Sequence, residues 1–297
     1  MLCFHHPDYH YPLPEGHPFP MDKFSRSRAL LEDELRGARF AGPAPAPEAL
    51  LHLVHSPGYL AAVRDSRLSE HDRNRLGLPD NPRLLDRCRR ETHGTLLAAR
   101  AALGEGLAAN LGGGTHHAFA NRGLGFCVLN DVAVACAVLE SERPGLSVLV
   151  VDTDAHQGNG THALLRGRPG RFSHSIHVGS NYPSAKEPGD LDVALARGVE
   201  GPAYLAALSA SLEEALARSR PGLVFWNSGA DVHRDDRFGQ MALDDADIAE
   251  RDRRVLAATL GAGIPTVVLY GGGYNADRRK TARLHVETIL RAAAYPR

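Results

Sequence analysis

The segment Val148-Leu149-Val150-Val151-Asp152-Thr153-Asp154-Ala155-His156-Gln157-Gly158-Asn159-Gly160 opens with four aliphatic residues and closes with acids, a histidine and turn formers. A short apolar run bounded by turn residues marks a strand buried on both faces, as in a parallel sheet. Side chains two apart on an extended chain share a face, so Asp152, Asp154 and His156 are expected to project together. Asp, Asn and Gly are also ordinary strand-to-helix residues. Three ionisable groups at spacing two nevertheless exceed what a turn requires, and burying them is costly unless they hold something positive.

Similar apolar runs at 108–112, 172–177, 223–228 and 265–271 join 147–152 as predicted strands, and 84–108, 129–143, 202–218, 245–261 and 277–294 carry helix-forming Ala, Leu, Arg and Glu. This alternation predicts an α/β fold of βαβ units around a parallel sheet. Right-handed crossovers place helices on both faces and send the strand C-termini to one edge, where open sheets build their sites. With 297 residues and no internal repeat, a single domain spanning 1–297 is the expectation. Only about forty residues precede Gly42-Pro43-Ala44-Pro45-Ala46-Pro47, too few for an independent unit, so this stretch reads as a surface loop.

A net charge of −1, with arginines interspersed among acids, excludes the electrostatic footprint of a nucleic-acid or anionic-membrane binder. Partners are expected among small molecules or peptides, and the oligomeric state is left open. Cys3, Cys88, Cys127 and Cys136 contain no CxxC pairing, which speaks against a disulfide framework or a cysteine zinc site. The first residues lack a basic segment followed by an apolar one, and no run reaches the ~20 apolar residues of a membrane helix, so a cytoplasmic protein is expected.

Three other predicted strand ends carry chemistry. Leu223-Val224-Phe225-Trp226-Asn227-Ser228 runs into Gly229-Ala230-Asp231 and delivers another carboxylate to the same edge. Alone, Asp231 reads as a helix cap. With Asp154 and His156 it completes an Asp/His/Asp set, three protein ligands that leave a fourth zinc position for water. The glycines of Leu111-Gly112-Gly113-Gly114-Thr115-His116-His117 permit positive φ and put both histidines on a sharp loop, where either is a candidate general base. Tyr274 follows Gly271-Gly272-Gly273; a turn with a packed ring is the ordinary reading, but a phenol beside a metal can donate to a developing oxyanion.

Together these segments resemble the zinc-dependent histone deacetylase family, and within it the class IV enzymes and their bacterial deacetylase-like relatives. The matching motifs are GGGTHHA at 112–118, GFCVLND at 125–131, VDTDAHQGNG at 151–160, SGAD at 228–231 and GGGYN at 271–275; LPEGHPFPMDKF at 13–24 and HSPGYL at 55–60 are similar to the class IV branch. The resemblance implies a single-domain arginase/deacetylase fold, a parallel eight-stranded sheet sandwiched between helical layers. It also implies Zn2+ on Asp154, His156 and Asp231, the pair His116 and His117 beside the attacking water, and Tyr274 on the acyl carbonyl. In the family pattern His116 pairs with the residue at Asp152 and His117 with the residue at Asn159. Gly125 and Phe126 would help form one wall of an acyl-lysine tunnel and Tyr182 the opposite wall. Asp152, Ser175 and Ile176, with the Asp154 and His156 backbone, align with a potassium (K+) site. Gln157 and Asn159 stand where many deacetylases have His and Asp, although DAHQGN is itself typical of class IV.

The function expected on these grounds is a zinc-dependent deacylase that removes acetyl or longer acyl groups from acylated lysine in peptides or proteins. A small acylated amine such as an acetylpolyamine is the alternative substrate. A two-manganese ureohydrolase would need acids where Thr115 and Gly158 stand. A non-catalytic acyl-binding module would usually have lost one of Asp154, His156, Asp231, His117 or Tyr274, and none is lost.

Overall fold

A computed structural model of the chain describes residues 1–296. Eight strands, β1 (Leu2–Phe4), β2 (Arg39–Ala41), β3 (Leu107–Asn110), β4 (Val148–Asp152), β5 (Arg171–Val178), β6 (Leu191–Leu195), β7 (Leu223–Asn227) and β8 (Thr266–Leu269), form one parallel sheet ordered β2-β1-β3-β8-β7-β4-β5-β6. The helices are α1 (Lys23–Glu34), α2 (Glu48–Leu51), α3 (Pro57–Arg64), α4 (Glu70–Leu76), α5 (Leu84–Glu105), α6 (Asp131–Glu142), α7 (Asn159–Leu165), α8 (Gly201–Ser219), α9 (Asp245–Thr259) and α10 (Arg278–Ala294). One layer packs α5 on α6 and α6 on α7; the other runs from α8 through α9 and α10 to α1, and the sheet lies between them. No described helix is long and apolar enough to cross a membrane.

The central strands β3, β4, β7 and β8 are buried at every position, as runs of Ala, Leu, Val, Phe and Trp require when both faces are covered. The five predicted strands coincide with β3, β4, β5, β7 and β8. The other three escaped the reading for physical reasons. β1 and β2 have three residues each, too few for a pattern, and β6 at the sheet's edge alternates apolar with polar or small side chains. The helix predicted over 84–108 stops at Glu105, because Gly106 takes φ +82° and ends it.

Residues 42–47 are not a free surface loop. Ala46 N donates to Arg89 O, Arg89 Nε donates back to Ala46 O, and Arg90 reaches Pro43 O, so the segment is strapped along α5 with Pro43 and Ala46 buried.

Topology decides where the site falls. The chain leaves β3, skips two places to β4, and later returns to fill the gap with β7 and β8. Loops from four adjacent strands therefore meet at one edge, at the kind of switch point where open α/β sheets bind ligands. Because β4 is central and β6 is marginal, Leu149→Ala should destabilise the protein by ~2–5 kcal/mol and the half-buried Leu195→Ala by clearly less. Urea unfolding midpoints of the two variants check this ranking.

Candidate active site

β4 ends at Asp152, so strict alternation does not continue to His156; the next residues form a loop that returns Asp154 and His156 toward the same edge. One donor atom from each of Asp154, His156 and Asp231 lies within 4.8 Å of the others, and all three residues are buried. His156 Nδ1 is 3.1 Å from Asp154 Oδ1 and 2.9 Å from Asp231 Oδ2. Backbone groups orient the acids: Gly272 N donates to Asp154 Oδ2 at 2.7 Å, and Ala155 N to Asp231 Oδ1 at 2.9 Å.

The donor set fits a metal ion. His156 Nε2 faces Phe238 O at 3.2 Å, and a proton held there leaves the Nδ1 lone pair for a ligand, the usual outer-shell arrangement of a metal-binding histidine. Burial and the neighbouring Asp154 push the Asp231 carboxyl up to about 7. A cation among these groups would remove that conflict of charge.

Beside the triad sit the two histidines. Gly113 and Gly114 adopt φ +72° and +71°, which turns the chain sharply enough to bring His116 and His117 back over the strand ends. His116 Nδ1 donates to Asp152 Oδ2 at 2.6 Å, His117 Nδ1 donates to Asn159 Oδ1 at 2.9 Å, and the two Nε2 atoms lie 3.1 Å apart. Their environments diverge. Burial opposes charge on His116, but Asp152 and Asp154 outweigh it and raise its pKa to about 9. His117 is held well below the ordinary range by burial and by the cationic forms of His116 and His156, since Asn159 supplies no charge to offset them.

A cavity of about 310 Å3 leads to this floor, and His117, His156, Phe126, Tyr182 and Tyr274 all line it. Phe126 is set by the end of α4: Gly125 N donates to Arg75 O and Phe126 N to Leu76 O. Gly125 itself has no room to be anything else, because a Cβ there would lie 2.7 Å from the His117 ring and 2.9 Å from Tyr182. The Tyr182 ring stands edge-on to His117 with centroids 5.1 Å apart. Tyr274 packs against Phe126, Phe238 and His156, and burial holds its phenol protonated far above the usual range. Ser175 is the register partner of Asp152 across β4 and β5, with its hydroxyl on His177 Nδ1 at 3.1 Å; Ile176 follows it, buried.

Four supporting residues, Asp131, Asn227, Glu91 and Lys23, have no role that the sequence assigns. Asp131, the last residue of GFCVLND, accepts from Thr95 Oγ1, Gly114 N, Thr115 N and Thr115 Oγ1, and so anchors the histidine loop. Asn227, a polar residue ending an apolar strand, donates to Asp152 Oδ1 at 2.9 Å. Glu91 accepts from Gly113 N; its one sequence signal is the i, i+4 spacing with Arg87, which forms a buried ion pair at 3.1 Å. Lys23 lies behind the site with Nζ donating to Gly271 O; burial lowers its pKa to about 8 against the pull of Glu91, Asp231 and Asp154.

The histone deacetylase domain profile matches residues 17–290. An uncharacterised protein of Picosynechococcus sp. is 39% identical over 272 residues, covering 91% of each chain. Histone deacetylase 2 of Arabidopsis thaliana is 30% identical over 93% of this chain and 74% of its own, and the acetoin utilization protein AcuC of Bacillus subtilis is 30% identical over 93% and 79%. The crystal structure of the HDA15 HD domain shares the fold, with a TM-score of 0.80, 21% identity, and coverage of 98% of this chain and 90% of that one. An arginase/deacetylase-type α/β fold thus carries a buried Asp/His/Asp donor set beside a histidine pair. The chain belongs to the histone deacetylase family.

Since a metal must displace the proton from Asp231 and from the His156 nitrogen that faces the acids, affinity should fall as pH drops through 7. Calorimetric titration with Zn2+ at pH 6 and pH 8 should give the weaker binding at pH 6. Saturation should also raise the unfolding free energy, by ~2.7 kcal/mol at a hundredfold excess over Kd, and Asp231→Ala should abolish both effects.

Proposed function

We propose that this chain is a zinc-dependent amidohydrolase that removes an acyl group, acetyl or longer, from acylated lysine in a peptide or protein. What carries the reading is the convergence, at the floor of one cavity walled by Phe126 and Tyr182, of the Asp154/His156/Asp231 donors, the His116/His117 pair and a protonated Tyr274. Zinc, held by the three donors, would supply an electron-withdrawing centre for the acyl carbonyl and acidify the attacking water.

The side chains provide the rest. His117 carries its proton on Nδ1, against Asn159, so its Nε2 lone pair accepts the proton from water as the oxygen attacks the carbonyl carbon. Tyr274 donates a hydrogen bond to the carbonyl oxygen as negative charge builds there. When the C–N bond breaks, a protonated histidine of the pair passes a proton to the departing amine, and the acyl group leaves as a carboxylate. Asp152 keeps His116 cationic and oriented, and with Ser175, Ile176 and the Asp154 and His156 backbone it would hold K+. A second manganese is disfavoured: a Cβ at Gly158 would lie 2.4 Å from Asp152 Oδ2, which leaves no space for an acid there.

The test joins metal analysis with an acyl-lysine peptide assay; one zinc per chain and release of free lysine are expected, whereas two manganese ions with guanidino hydrolysis would overturn the reading. Tyr274→Phe should keep its zinc and lose ~10²–10³-fold in kcat, as removal of one oxyanion donor does. Asn159→Asp should move the acidic limb of kcat/KM to higher pH, because an anion on Nδ1 stabilises the imidazolium and raises the pKa of His117. Coincident limbs in the two pH profiles would show that His117 is not the base.

A further inference from the structure

The mouth of the catalytic cavity carries an unbalanced charge. None of the residues lining it is an acid, while Arg75 and Arg237, both exposed, stand on its rim. Arg237 spends its donors on two backbone carbonyls, Tyr274 O at 2.9 Å and Pro18 O at 2.8 Å, so its charge meets no carboxylate. Arg75, in the last turn of α4, makes no side-chain hydrogen bond or ion pair among the described residues. Its neighbour Arg73 does pair, with Asp80 at 3.4 Å, so the local acid is already taken.

A second cavity of about 240 Å3 adjoins the first and shares Arg75 and Tyr182 with it. Arg122 lines this one, stacked 3.8 Å over Phe119 and bonded to the neutral Asn121 side chain. Glu187 is the acid in its lining, and it faces Arg166 at 3.5 Å. Two guanidinium groups without carboxylate partners, Arg75 and Arg237, thus line the cavity that reaches His117 and His156 together with the exposed Tyr182 ring, and a third, Arg122, lines the cavity beside it.

We propose that this rim selects substrates that carry a carboxylate next to the acylated lysine, and rejects cationic ones such as basic peptide tails or acylated polyamines. The proposal rests on the amidohydrolase reading and names its substrate class. A guanidinium matches a carboxylate with two parallel donors, and charges at the mouth of a low-dielectric cleft act on the approaching substrate through the local potential. Repulsion of an amine-rich substrate follows from the same potential with the opposite sign. The carboxylate can come from a flanking Asp or Glu side chain or from the free main-chain terminus of an acyl-lysine, and Arg75, at the junction of the two cavities, is placed to receive either.

The experiment uses the zinc-loaded full chain and acetyl-lysine peptides flanked on both sides by Asp, by Ala or by Lys, together with free Nε-acetyl-lysine and its C-terminal amide. At low salt kcat/KM should rank Asp over Ala over Lys, with steps of ~3–10-fold carried mainly by KM, and should converge as ionic strength rises. Free acetyl-lysine exceeding its amide would locate the selected group on the main chain, and a preference confined to the flanking residues would locate it on side chains; either supports the proposal. Arg75→Gln should flatten the ranking and Arg75→Glu should invert it, and because this side chain is exposed on a short helix end both variants should fold. Equal kcat/KM across the series would overturn the rim proposal and leave the hydrolase reading intact. If no peptide is hydrolysed, fluorescence anisotropy of the same labelled peptides separates the two: ranked binding keeps the rim assignment while the hydrolase reading falls, and absent or unranked binding overturns both.

Discussion

A single carboxylate ties the floor of the cavity together. Asp152 ends β4, accepts from Asp154 N and from Asn227 of the adjacent strand on one oxygen, and holds His116 Nδ1 on the other. It thereby couples the loop that presents Asp154 and His156, the strand that leads to Asp231, and the histidine pair. A buried carboxylate is tolerated only when its lone pairs are filled by donors or by a cation. The surrounding loops are shaped by that requirement.

The same rule explains why the loops are rich in glycine. Backbone N–H groups are the donors that reach a buried acid without adding bulk or charge, and Gly114, Thr115 and Gly272 supply them to Asp131 and Asp154. A side chain at Gly272 would meet Asp231 Oδ2 at 2.3 Å. Close packing of this kind holds the donor atoms at fixed separations, and electrostatic preorganisation depends on that fixity. The divergence between His116 and His117 has the same origin: two adjacent imidazoles share one burial cost, and the partner at Nδ1, a carboxylate for one and an amide for the other, decides which of them stays charged.

The exposed charges of the mouth sit on different elements from the buried donors of the floor. The floor is built by strand ends locked into the sheet, whereas the mouth is built by the end of α4, the segment around Tyr182 and the segment around Arg237. The Arg75, Tyr182 and Arg237 side chains there are exposed, although Phe238 O and Arg237 Nε still reach back to His156 and to Tyr274 O. Buried groups thus make up the floor, while the two arginines of the mouth carry their charge on exposed side chains.

From sequence alone the parallel α/β class, five of the six interior strands, the Asp/His/Asp donors and the histidine pair were all legible, because each is written locally. Apolar runs of four or five residues announce buried strands, and acids or histidines at their ends are too costly to be there by accident. β1, β2 and β6 were not legible, since three-residue or edge strands are specified by the neighbours they pair with. Nor were the roles of Asp131, Asn227, Glu91 and Lys23, whose contacts to the loops of the site span 16 or more residues of the chain and form only once the sheet has formed. The arginines of the mouth were visible as letters, but their lack of carboxylate partners is a fact of three-dimensional placement. Local pattern determines which residues must be buried or turned; only the tertiary fold decides which buried charge faces which donor, because that pairing is set by strand order and loop path and has no period for a sequence to display.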